Sequence, residues 1–433
     1  MSIDRDALDL STKVVSNSGV GFCGGRVRLV AAMVIAAVVS GCSAAGPAAS
    51  PSTGAAPTAG VSSAVPASPV TEQFTPVVIR VMSQPRWFTG TDAKVHLVYE
   101  LELTNGFPVP VTVTGVTVRD AAGGSLQNLT GEVLAGAMSP LAGQSKRPTV
   151  VEASAVRAVW MDITMDGGSQ LPSAIEHTVT VSVPPGLPVP SVISSTGGAT
   201  EIDRRPPTVI GPPLDGTGWI ALPSCCDGPH RRSLQPINNS LWLAQRFAID
   251  FNKIDAKGLL ASGDSSRNAA WFTYDQPVLA VADARVVAAV DGYPDQVPDA
   301  PKPVGIEEAD GNHVILELSA GVYAFYAHLK PGSVSVRAGD QVVKGQPLGR
   351  TGNSGSSTGT HLHFQLMDRP SALVADGLPF VIDAFTLTGR SPTLEQLMKL
   401  NPSTDPVPVD PAGAGERTNQ LPMSRDVVSF TRK

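Results

Sequence analysis

Two histidines one residue apart, His361 and His363, stand between a loop of Gly, Ser, Asn and Thr and an apolar run. His361-Leu-His-Phe-Gln-Leu366 alternates with a period of two, the pattern of a strand. In a strand, residues i and i+2 share a face, about 6.6 Å apart at a rise of about 3.3 Å per residue. Two imidazoles so placed can share one site, one binding a metal while the other handles the proton of a water beside it. Leu362 and Phe364 then point into the core. The preceding loop, Gly352-Asn-Ser-Gly-Ser-Ser-Thr-Gly-Thr360, has small side chains that tolerate positive φ. Its backbone and hydroxyls can therefore approach a ligand closely. Asn353, Ser354 and Thr360 are read as lining a substrate groove. A bare His-x-His also describes two polar residues on a solvated strand face, but the loop directly upstream favours a site.

Gly352-Asn-Ser-Gly-Ser-Ser-Thr-Gly-Thr-His-Leu-His-Phe364 resembles the signature of the lysostaphin/LytM-type zinc metallopeptidases, which cut peptide cross-links in peptidoglycan. Tyr326-Ala-His-Leu329 resembles the same family's Tyr-Ala-His-Leu. Val334 to Gly349, with Gly339-Asp340 and Gly345-Gln346, resembles its hairpin. Pro277-Val-Leu-Ala280 followed by Ala284-Arg-Val-Val287 resembles its opening strands. The resemblance covers about Trp242 to Phe385, and its motifs are specific in combination.

Zinc hydrolysis needs three protein ligands and an open position for water. The resemblance implies that Asp250, in Arg246-Phe-Ala-Ile-Asp250, and His363 are ligands, and that His328 and His361 are the catalytic histidines. The family's other ligand is the histidine of a His-x-Gly-x-Asp segment, and that position holds Arg246. Arginine keeps its proton and has no acceptor atom, so it cannot ligate, and it could instead pair with Asp250. His230, in Pro229-His-Arg-Arg232, is the candidate substitute, and Cys225 and Cys226 are also upstream. Imidazole and thiolate both suit zinc.

The chain has 433 residues, which suggests two domains, and a net charge of −6, which gives no reason to expect nucleic acid. Its 42 glycines and 38 prolines cluster in connecting stretches. Arg26 and Arg28 precede the apolar run Leu29 to Val39, which suits an export signal and is too short to span a bilayer. Val39-Ser-Gly-Cys42 resembles a bacterial lipobox, with Cys42 as the lipidated residue. Of the four cysteines, Cys23 lies in the signal, and Cys225 and Cys226 are neighbours, so no ordinary disulfide framework is expected.

The expected order is a lipoprotein signal peptide at 1–41, an Ala/Ser/Pro tether at 42–73 and a β-sandwich at 74–184. A linker follows at 185–223, then a LytM-type domain at 224–390 and a loose tail at 391–433. Leu97, Tyr99, Leu101 and Leu103 alternate with His96, Val98, Glu100 and Glu102. Val159 to Met165 and Val179 to Val183 alternate likewise, and Gly115 breaks the phase of its strand as a bulge does. Short strands with turns between them suggest an immunoglobulin-like sandwich. Ser391 and Pro392 predict a short helix start. The fold class is thus mainly β.

Together these features imply a lipid-anchored protein on the outer face of the cytoplasmic membrane in a bacterial cell envelope, a zinc endopeptidase acting on peptidoglycan. The competing reading, prompted by Arg246, is an inactive peptidoglycan-binding or hydrolase-activating protein on the same scaffold. A third reading, a carrier domain of biotinyl/lipoyl type, is prompted by the Gly339-Asp340 to Gly345-Gln346 hairpin, and the lack of a lysine in a Met-Lys-Met-like turn weighs against it.

Overall fold

The structure is a computed structural model that describes residues 72–226 and 228–430. The signal run, Cys42 and nearly all of the predicted tether lie outside the described residues. Among the described residues no helix is long and apolar enough to cross a membrane.

Residues from Val77 to Glu201 form two five-stranded antiparallel sheets. Leu97, Tyr99, Leu101, Val159, Met161 and Ile163 from one sheet meet Val111, Val113, Val116, Val118, Val179 and Val181 from the other in one apolar core. The alternation of the sequence produces this directly, since every second side chain faces the partner sheet. The register of Val111–Asp120 slips at Gly115, as expected of a bulge.

The Lys94–Asn105 strand departs from a half-solvated pattern, because both of its faces are buried from Val95 to Leu101. Its outer face, carrying His96, Val98 and Glu100, lies against the second half of the chain. Val98 and Phe88 join the core that holds Phe247, Ile249 and Phe364, and Phe88 meets Phe247 edge-on with ring centroids 5.9 Å apart. Ala158 and Trp160 of the same sheet pack on Leu243. Each large apolar side chain buried in such a seam contributes about 1.5–3 kcal/mol.

The second half is built on a twelve-stranded sheet. At its centre Gly216–Ala221, Ile249–Lys253, Leu362–Met367, Val322–Leu329, Asn312–Ser319 and Ala284–Val290 follow one another as neighbours. Phe251, Leu362, Phe364 and Tyr326 are fully buried beneath it.

Two stretches expected to be connectors are sheet instead. Val192–Glu201 pairs with Ala174–Ser182 and so extends the sandwich beyond residue 184. Its Gly197-Gly198 pair sits at a register shift, with Gly198 at φ 64°, which hides the strand from a reading by periodicity. The loose tail is replaced by two strands. Gly415–Gln420 pairs with Phe380–Arg390, and Asp426–Phe430 lies between that strand and Gly216–Ala221. Val427, Val428 and Phe430 are buried there. The short helix is Leu394–Leu397, capped by Thr393 rather than Ser391, with a capping box closed by Gln396.

Candidate metal centre

Asp250 and His363 are directly opposite each other on the antiparallel strands Ile249–Lys253 and Leu362–Met367. Facing residues in such a pair have Cβ atoms only about 4.5–5.5 Å apart. Ile249 and Phe251 on one strand, and Leu362 and Phe364 on the other, take the core side and leave Asp250 and His363 on the opposite face. His363 Nδ1 lies 2.9 Å from Asp250 Oδ1, and His361 Nε2 lies 3.6 Å from the same oxygen.

His230 completes the group. It sits in the 3-10 turn His230–Arg232 and brings Nε2 to 3.3 Å from Asp250 Oδ2. One nitrogen from each of His230 and His363 and one oxygen of Asp250 lie within 4.8 Å of one another. A second set, His328, His361 and His363, is equally close and shares His363 with the first.

The hydrogen bonds fix where the protons are. Gln365, two residues along the same strand face, turns its amide nitrogen to Met367 Sδ at 3.7 Å and its Oε1 to His363 Nε2 at 2.8 Å. An amide oxygen only accepts, so Nε2 carries a proton, and Nδ1 is the ring atom that faces the Asp250 carboxylate. The 2.9 Å approach is favourable when a cation lies between the two, either a metal ion or the second proton of an imidazolium. Two imidazoles and a carboxylate form a donor set that zinc takes, and a backing hydrogen bond on the far ring nitrogen is the usual support for a ligating histidine. The residues present fit the metal.

His328 and His361 are oriented differently. His328 Nδ1 donates to Ser354 O at 2.8 Å, and His361 Nδ1 donates to Gly359 O at 2.8 Å. Both therefore spend Nδ1 on the backbone and leave Nε2 to the cluster. His328 closes its strand at φ 60°, a left-handed turn that swings its ring toward His361, with centroids 4.8 Å apart. Burial, together with the neighbouring His361 and His363, holds His328 well below the ordinary imidazole range. Burial pushes the Asp250 carboxyl up, but the surrounding His230, His361 and His363 outweigh it and hold Asp250 well below the usual carboxylate range.

Arg246 does not pair with Asp250. It turns away to Glu100 of the sandwich and to Asp376. Cys225 and Cys226 are bonded to each other, so neither offers a thiolate. Asn353 and Ser354 are fully buried, and their polar atoms are taken up by the protein. Ser354 Oγ donates to Leu329 O and accepts from Asn312 N, which welds the loop to the His328 strand. Thr360 is 2% exposed, with an Oγ1 that has no partner among the described residues. These three residues build the loop that aims His361 rather than line a groove.

Asp310 also lies near these histidines, and no sequence motif marks it. Its carbonyl accepts from His328 N at 3.2 Å. Burial raises its carboxyl above the usual range, against the pull of His313 and His363. No local pattern marks it, because the bend that buries it is made by Gly311 against Ser354.

A cluster of two histidines and a carboxylate, with two more histidines beside it, is a set of donors that could hold a divalent metal. The sequence then places the chain. The family description Peptidase family M23 matches residues 270–374, and the chain carries a domain of that family. Asp250 and His230 lie upstream of the matched residues. The glycyl-glycine endopeptidase ALE-1 of Staphylococcus capitis is 33% identical over 110 residues, 25% of this chain and 26% of that one. The peptidoglycan DD-endopeptidase ShyA of Vibrio cholerae is 37% identical over 59 residues, 14% of this chain and 13% of that one. This chain therefore matches only a minor part of either relative. Among solved structures, the catalytic domain of lysostaphin from Staphylococcus simulans is 22% identical over 37% of this chain and 84% of that chain, with a TM-score of 0.21. A zinc-containing peptidase from Vibrio cholerae is 14% identical over 65% of this chain and 81% of that chain, with a TM-score of 0.20.

Proposed function

We propose that this chain is a zinc-dependent endopeptidase of the bacterial cell envelope that cuts peptides of peptidoglycan. His230, Asp250 and His363 are the residues that would hold the metal. The observation that carries this reading is His230 Nε2 at 3.3 Å from Asp250 Oδ2, which supplies the ligand that Arg246 cannot. Zinc in such a set lowers the pKa of water to about 7 and polarises a carbonyl. His328 and His361 each leave Nε2 to the cluster, with Nδ1 held by a backbone carbonyl. One would accept the proton of the attacking water, and the other would hydrogen-bond the substrate carbonyl. The substrate class is supported by the names of the two curated relatives.

The remaining parts of the reading concern placement. The run Leu29 to Val39 and the Val39-Ser-Gly-Cys42 sequence support export and a lipid anchor on the outer face of the cytoplasmic membrane. The paired sheets of the N-terminal half support an immunoglobulin-type module that carries no chemistry of its own.

The test is zinc content of the full chain, with peptide release from peptidoglycan measured with and without a chelator. Stoichiometric zinc, and cleavage that is lost on chelation and in His230→Ala, are expected. A zinc-loaded chain that binds peptidoglycan without cutting it selects the second reading, a binding or hydrolase-activating protein, which Arg246 in place of a ligand favours. A metal-free, inactive chain overturns the metal site.

A further inference from the structure

The turn that carries His230 is fastened to the sandwich. Arg231 is 4% exposed, and its guanidinium reaches across the seam. It donates to Met161 O and, at 3.4 Å, to Tyr99 O, both on the outer sheet of the sandwich. On its own side it donates to Cys226 O at 2.6 Å. Arg232 donates to Gly136 O at 2.6 Å, in the short helix Gly131–Ala137 of the sandwich. The turn is closed by Ser233, whose N and Oγ both donate to His230 O.

The ring of His230 lacks the support its neighbours have. Gln365 backs His363, Ser354 O backs His328 and Gly359 O backs His361. His230 Nδ1 is buried and has no partner among the described residues. Among the described residues no hydrogen bond at Nδ1 aims Nε2 at Asp250; the ring meets His363 edge-on, and its backbone is held through Arg231.

We propose that Arg231 is a positioning residue. Locked into the sandwich, it presents His230 to Asp250 and His363, so the N-terminal module completes the metal site of the peptidase-family domain. This rests on the zinc reading given above. It makes metal affinity a property of domain docking, because two ligands come from the sheet and the third is delivered from the seam.

The experiment uses the full chain and Zn²⁺ in competition with a chromophoric chelator, with Co²⁺ as a spectroscopic probe. Arg231→Met is expected to weaken Zn²⁺ binding about 10–100-fold, the loss usual for a residue supporting a ligand, and to change the visible Co²⁺ spectrum. Arg231→Lys keeps the charge but cannot span the carbonyls with one ammonium, and should fall between. It is the variant to read if Arg231→Met does not fold. Thr91→Val loosens the same seam elsewhere, where Thr91 Oγ1 donates to Asp426. It should leave Zn²⁺ affinity within about threefold of the unmodified chain, well short of a supporting residue's effect. Unchanged affinity in both Arg231 variants overturns the proposal and leaves the zinc site standing. Equal weakening by Thr91→Val also overturns it, since general loosening then explains the loss. An unmodified chain that binds no Zn²⁺ removes the zinc reading itself and this proposal with it.

Discussion

Arg246 and Glu100 face each other across the seam between the sandwich and the peptidase-family sheet, Nε to Oε1 at 2.9 Å and Nη2 to Oε2 at 3.0 Å. Their side chains are 4% and 1% exposed. Ser83 Oγ donates to Glu100 at 2.7 Å, while Arg246 Nη1 donates to Gly377 O and Nη2 also to Asp376. Burial pushes the Glu100 carboxyl up, but Arg246 outweighs it, and the group stays ionised below the usual range. The residue at the position where a zinc-binding histidine is expected thus serves as a docking bolt, pointing away from the metal cluster.

Restoring that histidine is therefore predicted not to restore a ligand. Arg246→His leaves a buried carboxylate without its partner, which costs about 3–5 kcal/mol. Urea denaturation should show that loss, and Zn²⁺ affinity should not rise. Glu100→Ala, which strands the guanidinium instead, should cost a similar amount. A histidine at 246 that tightens Zn²⁺ binding would show the side chain can turn toward Asp250, and would remove His230 from the site.

Stability should peak near pH 6.5 and fall on both sides, for two reasons that both lie in the sandwich. Burial pulls His96 down, but hydrogen bonds to Asp162 at 3.0 Å and Asp92 at 3.2 Å raise it to about 9. Its contribution, on the order of 3 kcal/mol, is complete below the unfolded value of about 6.5 and is lost as the pH rises through 9. Burial lowers His177 to about 4, where Tyr99 OH donates to Nε2 and Nδ1 donates to Gly198 O. That arrangement needs a neutral ring, so its stability is complete above about 6.5 and is lost as the pH falls toward 4. Denaturation midpoints between pH 4 and 9 test both, with His96→Asn flattening the alkaline side and His177→Gln the acid side.

The sheet chemistry was legible in the sequence because it follows a period of two. Leu362 and Phe364 inward and His363 outward can be read from alternation alone. The seam was not legible. His96, Val98 and Glu100 alternate with the core residues as a solvated face does, and only the docked domain buries them. Asp426–Phe430 was hidden because it is a short apolar run after a proline-rich stretch, with partners far away in the chain. His230 drew notice only as a metal-binding residue type, since what brings it to Asp250 is Arg231 inserted into another domain, a contact without sequence periodicity.

Gln365 is predicted to support metal binding without touching the metal. Its Oε1 fixes the His363 tautomer at 2.8 Å, and the side chain is fully buried. Gln365→Leu keeps the volume and removes the acceptor, so Zn²⁺ affinity should fall about 10–100-fold. The Co²⁺ spectrum checks whether the ring has rotated. Affinity equal to that of the unmodified chain would mean the tautomer is set elsewhere.

The last prediction separates holding the metal from moving the proton. His328 and His361 are held at Nδ1 by backbone carbonyls and reach the cluster with Nε2, so they are placed to act on water and substrate. His328 occupies a left-handed backbone position, which asparagine tolerates better than most residues. His328→Asn should therefore fold, keep its zinc and lower kcat about 10²–10⁴-fold, the range for losing a general acid or base, with KM little changed. His361→Gln should behave in the same way. His230→Ala should lose zinc and turnover together. The distinction is read by measuring metal content and kcat on the same samples. If His328→Asn lost zinc as completely as His230→Ala, the two triads that share His363 would be one binding site, and proton transfer would have to be assigned to other groups near it, with Asp310 the first to examine.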